Sequence, residues 1–246
     1  MDANKQANNN TKISVITATY NAVKYLPKLI ESLQQQTDKD FEWVVADGGS
    51  TDGTLELLKQ VTGIDIKITS QADFGIYDAL NRAIKQCEGE YYVVAGADDY
   101  FYKEAVAIFR SAITESVDFV ATAIDCNGKL LHPKGGSVSK NGAAALIASH
   151  SIGLLIKKSL HQQYGFYSPK YPILADQLFI LKSVAGGAKL VNSPQATGFF
   201  STEGVSCSSP LRCLTEFFCI QVDLGSNKYW QSLLFLKRLI QILPKM

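Results

Sequence analysis

Two aspartates stand side by side in the segment GEYYVVAGADDYFYKEA, residues 89–105. An apolar run, Tyr91 to Ala95, breaks at Gly96 and delivers Asp98 and Asp99 at the end of a predicted strand. Like charges so placed repel each other unless they share a proton or a cation. Carboxylate oxygens suit the hard ions Mg2+ or Mn2+, and Mg2+ takes one or two protein carboxylates together with substrate phosphates. The alternative is that the pair caps a helix beginning near Lys103. A third acid, Asp47, opens the turn DGGSTDGT (47–54) at another strand terminus, where it could accept from the edge of a base or a ribose hydroxyl. In that turn the glycines allow a tight backbone path, and Ser50 or Asp52 can cap the helix that starts at Gly53. Neither GxGxxG nor GxxxxGKS/T occurs, so the phosphate-cradling turns of the dinucleotide fold and the P-loop are absent.

The elements that must position these acids are legible as alternating βα units around a parallel sheet. The predicted strands are 13–18, 41–47, 65–70 and 90–96, and the predicted helices are 23–36, 53–61 and 75–87. Pro27 falls in the first turn of its helix, where a missing N–H is tolerated. Each strand ends in polar or small residues: Thr19-Tyr20-Asn21, Asp47-Gly48-Gly49-Ser50, Gln71-Ala72-Asp73 and Ala97-Asp98-Asp99. In an open parallel sheet these ends share one edge, which is where ligands bind. Beyond residue 110 the pattern loosens into strands at 117–125 and 129–131, a short helix at 143–149 and a helix at 173–187. Two late strands, 188–193 and 196–201, precede helices at 211–224 and 228–243.

Composition bounds the rest. The chain has 246 residues, 46% of them hydrophobic and 19% charged, with a net charge of +1, which describes one α/β core and offers no field for gripping nucleic acid. Five cysteines without a CxxC pair favour neither a disulfide framework nor a zinc site and fit a reducing compartment. Residues 1–11 read as a disordered polar leader, and no stretch approaches the roughly 18 apolar residues of a spanning helix. The expected division is a core over 12–205, with halves at 12–110 and 111–205, and a helical segment over 206–246.

Taken in order, ITATYNAVKYL, WVVADGGSTDGT, ADFGIYDALNRAI and GEYYVVAGADD resemble the inverting family 2 glycosyltransferases of the GT-A fold, and most of all the bacterial subset that builds O-antigen and exopolysaccharide. The resemblance implies a Rossmann-like, mostly parallel sheet flanked by helices, a C-terminal helical extension, and a metal-dependent transfer using Mn2+ or Mg2+. Carried over residue by residue, Thr17, Ala18, Thr19 and Tyr20 would wrap the nucleotide base, and Asp47 would bind uracil or ribose. Asp73 and Asn81 would run under the nucleotide and donor sugar, with Arg82 facing the diphosphate. Ala97-Asp98-Asp99 matches the DxD-like element, with Asp99 the direct metal ligand and Asp98 on ribose or donor sugar.

Inversion by single displacement needs one carboxylate to take the acceptor hydroxyl's proton while the metal stabilises the departing diphosphate. KYPILADQLFILK is similar to the family's base-bearing stretch and makes Asp176 that base, although Leu178 replaces the second acid of the common form; an N-terminal helix cap is the alternative. SHSIGLLIKKSL is similar to a segment written around His-Gln, with Ser151 in place of glutamine, and gives His150 a contact with donor, metal or acceptor. His132 and His161 have no such support and are expected at the surface. The segment FFSTEGVSCSS resembles a loop that closes over donor phosphate, with Glu203 where a glycine is usual.

In the tail, Tyr229, Leu233, Leu236, Ile240 and Leu243 recur at helical spacing beside Trp230, with Lys228, Lys237, Arg238 and Lys245 on the flanks. Such a basic amphipathic helix can lie in a membrane interface, and core packing explains the same stripe. The expected function is transfer from a nucleotide sugar, UDP favoured, to a glycan or undecaprenyl-diphosphate-linked acceptor. The expected place is the cytoplasm, peripheral at the inner face of the plasma membrane. The alternatives are a sugar-nucleotide-binding protein and a sugar nucleotidylyltransferase, the latter lacking its Gly-rich N-terminal loop here.

Overall fold

The computed structural model describes residues 11–201 and 210–243. Four strands, β1 (Ile13–Thr19), β2 (Phe41–Asp47), β3 (Asp65–Ser70) and β4 (Tyr91–Val94), alternate with helices α1 (Leu26–Gln34), α2 (Thr54–Lys59) and α3 (Ile76–Gln86). They pair in parallel, as the alternating pattern predicts, and their order is β3-β2-β1-β4. Register decides what meets at the carboxyl edge: Thr19 lies opposite Asp47, and Asp47 opposite Ser70. Residues of β1 and β2 are buried almost throughout because helices cover both faces of the sheet. In α1 the buried Leu26, Leu29, Ile30 and Leu33 fall at the i, i+3, i+4, i+7 spacing of a single helical face.

Past β4 the sheet turns mixed. It continues through β5 (Tyr100–Phe101), α4 (Ala105–Ala112), β6 (Phe119–Cys126), β7 (Lys129–Leu131), α5 (Val138–Asn141), β8 (Leu154–Lys157), α6 (Leu160–Tyr164), α7 (Ala175–Ala185) and β9 (Leu190–Phe199). The order is β3-β2-β1-β4-β8-β6-β9-β5, with β7 on β6; β8 runs antiparallel to both β4 and β6, whereas β9 is parallel to β6. The helical extension is α8 (Pro210–Asp223) and α9 (Lys228–Ile242).

Four details depart from expectation. Residues 143–149 do not form an α-helix; a 3-10 turn over Gly142–Ala145 follows α5 instead. The two late strands are one, β9, whose register with β6 slips between Ala121↔Asn192 and Ala123↔Ala196. That irregularity takes up Pro194, which cannot donate to a ladder. Strand β8 was not anticipated, because a four-residue apolar run has no period that separates strand from buried helix. Thr11, assigned to the leader, is buried, and its carbonyl accepts from Arg110 Nη1.

Two apolar cores form, one on each face of the sheet. One gathers Leu26, Leu33, Trp43, Phe109 and Val120; the other gathers Leu80, Ile84, Tyr92, Tyr167, Phe179 and Ile220. The second includes Ile220 of α8, so the extension is part of the core and not an appendage.

Candidate active site

At the carboxyl edge Asp47 is fully buried, and its two oxygens accept five hydrogen bonds: from Thr19 Oγ1, the Gly49 and Ser50 amides, Ser50 Oγ and Ser70 Oγ. Burial pushes its carboxyl up, but the hydrogen bonds from Ser50, Ser70 and Thr19 outweigh that and hold it below the ordinary value. A carboxylate has about four lone-pair sites, so the turn's own donors fill those of Asp47 here. Asp47 ties the turn. Three neighbours expected to touch the donor are committed in the same way. Thr17 Oγ1 accepts from Trp43 Nε1 at 3.0 Å in the core. Asn81 exchanges two hydrogen bonds with the backbone of Tyr167. Arg82 donates to the Asp47 and Gln71 carbonyls at 3.0 and 3.2 Å, fastening the ends of β2 and β3, while its Nε is buried without a partner among the described residues.

What faces the cleft follows from the two-residue period of a strand. Thr17 and Thr19 point inward, while Ala18 lines the cavity and Tyr20 stands 68% exposed at the rim. Asp73 takes the space a side chain at residue 48 would need: a Cβ on Gly48 would lie 2.7 Å from Asp73 Oδ2. Its other oxygen accepts from the Gly75 amide, and Arg82 approaches to 3.8 Å.

The acidic doublet splits into an inner and an outer member. Asp99 is buried; Oδ2 accepts from the Gly96 amide at 2.9 Å and Ser151 Oγ at 2.5 Å, and Oδ1 from the Ser201 amide at 2.9 Å. Burial, with repulsion from Asp98 adding to it, pushes its carboxyl up to about 6 against those hydrogen bonds. Asp98 is half-buried and lines a cavity of about 180 Å³ with Ala18, Tyr77 and His150. Asp99 lines the same cavity, so both carboxylates border the cleft and Asp98 is the more exposed of the two. Ala97 is half-buried and packs against the first core. Among the described residues no cluster of three or more histidine, cysteine or acidic side chains could hold a metal ion. A hard cation completed by phosphate oxygens needs only one or two carboxylates, so this acidic doublet, with Asp98 partly open, fits such an ion.

Ser151 is aimed by a strained turn. Ile152 adopts φ 64, which a β-branched residue rarely takes, and its amide is held by the Val94 carbonyl at 2.7 Å. His150 reaches the cavity from the same turn. Its Nδ1 stands 3.8 Å from Asp176 Oδ2, and its Nε2 is 2.7 Å from the Tyr167 hydroxyl. Burial lowers the His150 pKa, with Asp176 pulling the other way.

Asp176 lies in the first turn of α7, where the helix dipole favours an anion. Its Oδ1 lies 2.6 Å from the Tyr77 hydroxyl, whose one hydrogen it shares with the Ile173 carbonyl at 2.8 Å. The approach to α7 is pinned by α8, because Glu216 Oε2 accepts from the Ile173 and Leu174 amides. Tyr77 lay inside a quoted segment and could have been singled out as a hydroxyl one helical turn from Asn81. Tyr92, Tyr167 and Glu216 carry no local signal. His132 is exposed as expected, but His161 is buried at 4% exposure, since it stacks on Phe179 and Phe166. Glu203 and the part of its loop at 202–209 lie outside the described residues.

Residues 14–168 match the model of the family described as Glycosyl transferase family 2. A PGL/p-HBAD biosynthesis glycosyltransferase of Mycobacterium tuberculosis is 39% identical over 102 residues, 40% of this chain and 40% of the relative, so the match spans two fifths of that protein's length. The chondroitin synthase of Escherichia coli is 34% identical over 126 residues, 48% of this chain and 18% of the relative. Among solved structures, S. aureus TarS 1-349 in complex with UDP-GlcNAc superposes with a TM-score of 0.72 at 23% identity, over 94% of this chain and 73% of that one. The mannosyltransferase PcManGT from Pyrobaculum calidifontis, in complex with GDP-Man and Mn2+, gives 0.71 at 17% identity over 98% and 73%. These likenesses establish the GT-A fold.

Proposed function

The chain belongs to glycosyl transferase family 2, and from that premise we propose that it moves one sugar from a nucleoside-diphosphate donor to a hydroxyl of a glycan or lipid-linked acceptor, with inversion, in surface polysaccharide synthesis. The observation that carries this reading is the convergence of Asp98 and His150 on one cavity at the strand ends, with Asp176 set 3.8 Å from His150. The acceptor oxygen attacks the anomeric carbon, its proton passes to Asp176, and the nucleoside diphosphate departs. Tyr77 orients the Asp176 carboxylate through Oδ1 and leaves Oδ2 for that proton. Asp98 is the residue that would hold Mn2+ or Mg2+, and a bound cation would supply there the positive charge that offsets the leaving diphosphate. Tyr20 and Ala18 are the contacts proposed for the base, and Asp73, in the space above Gly48, for the ribose or base edge.

UDP is favoured over GDP because a UDP-GlcNAc complex is among the structures of like fold, although one with GDP-Man is too. The exposed stripe of α9 would rest on the inner face of the membrane that carries a lipid-linked acceptor. The test is titration calorimetry with UDP and with GDP, with and without Mn2+, on the native chain and Asp98→Ala. Native protein should bind one diphosphate more tightly with Mn2+, and Asp98→Ala should lose that gain. Binding of neither diphosphate would overturn the donor assignment, and a native affinity indifferent to Mn2+ would overturn the metal role.

A further inference from the structure

Behind the cavity runs a buried file of polar groups that the transfer chemistry does not use. His161 Nδ1 lies 3.0 Å from the Gly165 carbonyl, His161 Nε2 lies 2.7 Å from the Tyr92 hydroxyl, and that hydroxyl lies 2.8 Å from the Tyr167 hydroxyl. Tyr167 in turn meets His150 Nε2 at 2.7 Å. A carbonyl can only accept, so His161 must carry its hydrogen on Nδ1, and burial holds this histidine neutral, pushed down to about 4. Its Nε2 is then a bare acceptor, and Tyr92 donates to it. A hydroxyl has one hydrogen, so Tyr92 can only accept from Tyr167, and Tyr167 can only accept from His150 Nε2. Each link dictates the next, from the Gly165 carbonyl to the cavity.

We infer that this file is a one-way hydrogen-bond relay that locks His150 in its Nε2–H form and turns a bare Nδ1 toward Asp176, keeping Asp176 Oδ2 free of a histidine donor. The separation agrees: a histidine N–H donating to a carboxylate closes to about 2.7–2.9 Å, whereas His150 Nδ1 and Asp176 Oδ2 stand 3.8 Å apart, as two acceptors would. His150, Tyr167, Tyr92 and His161 are positioning residues in this scheme. Resting on the function proposed above, its consequence is that Oδ2 remains available for the acceptor's proton.

Long-range 1H–15N spectra of protein labelled at histidine nitrogen read which ring nitrogen bears the hydrogen, with no substrate present. The native protein should show Nδ1–H at His161 and Nε2–H at His150. In His161→Phe, Tyr92 loses its acceptor and turns its hydrogen to Tyr167; Tyr167 then donates to His150 Nε2, and His150 moves its own hydrogen to Nδ1 and onto Asp176. The tautomer of His150 should therefore invert through a change three hydrogen bonds away, and Tyr92→Phe should invert it too should His161→Phe fail to fold. With Asp176 thus occupied, turnover should fall about tenfold or more at unchanged UDP affinity. Nδ1–H at His150 in the native protein, or an unmoved tautomer in both variants, would overturn the relay. An inverted tautomer in a chain that transfers no sugar would instead refute the function and leave the relay standing.

Discussion

Four aspartates of one residue type have four fates, and the difference lies in how many donors reach each carboxylate. Asp47 receives five hydrogen bonds and holds the 48–50 turn, whereas Asp99 receives three, at the junction of Gly96, Ser151 and Ser201, and still borders the cavity. Asp98 faces the cavity, and Asp176 is held through one oxygen by Tyr77. Asp176→Asn should therefore keep UDP affinity and cut turnover by at least about 10²-fold, measured as diphosphate release. Turnover like that of the native chain would place the base elsewhere. Asp47→Ala should act on the fold before it acts on chemistry. Removing an acceptor from buried donors costs about 1–3 kcal/mol for each group left unsatisfied, so the urea midpoint should drop clearly, whereas Asp98→Ala should leave it nearly unchanged.

Elements carry information that single residues do not. Strand β8, wedged antiparallel between β4 and β6, brings the His150–Ser151 turn against the end of β4 and so completes the cavity. Helix α8 reaches the site through Glu216, which fixes the two amides preceding α7. Helix α9 packs through Gln231 and Leu234, with Phe235 edge-on to Phe218 of α8, and turns its apolar stripe outward: Tyr229 is 72% exposed, Leu233 62% and Ile240 68%. The stripe legible in the sequence is thus not a core face. No helix among the described residues is long and apolar enough to cross a membrane, but an interfacial helix needs only such a face with basic flanks, here Lys228 and Lys237. The native protein should co-sediment with phosphatidylglycerol vesicles, and Leu233→Glu/Leu236→Glu should not, at unchanged UDP affinity and melting temperature. Equal sedimentation of both would remove α9 from the membrane contact.

At the scale of the whole molecule, burying the file of His161, Tyr92 and Tyr167 between the sheet and α7 makes stability depend on pH. In the folded protein His161 takes up its proton only near 4, against an ordinary value of 6.5, because burial disfavours the charged ring. Between those values the unfolded chain binds more protons than the folded one, so stability rises with pH across this window and is lost as the pH falls. The shift corresponds to about 3 kcal/mol at most. Urea midpoints measured at pH 7 and pH 4.5 should differ accordingly, and His161→Gln, which cannot titrate, should lessen the difference; an equal pH dependence in that variant would show that other groups carry it. The βα alternation, the polar strand ends and the ordered segments that resemble family 2 were all determined by the sequence alone, because hydrophobic period and turn chemistry are local properties. How far Asp98 and Asp99 differ in exposure, that Asn81 is spent on backbone, that His161 is buried and that the α9 stripe faces outward were decided only in three dimensions. Those outcomes depend on strand register and on partners as far as 102 residues away along the chain, as with Asp99 and Ser201, and no local pattern encodes such distances.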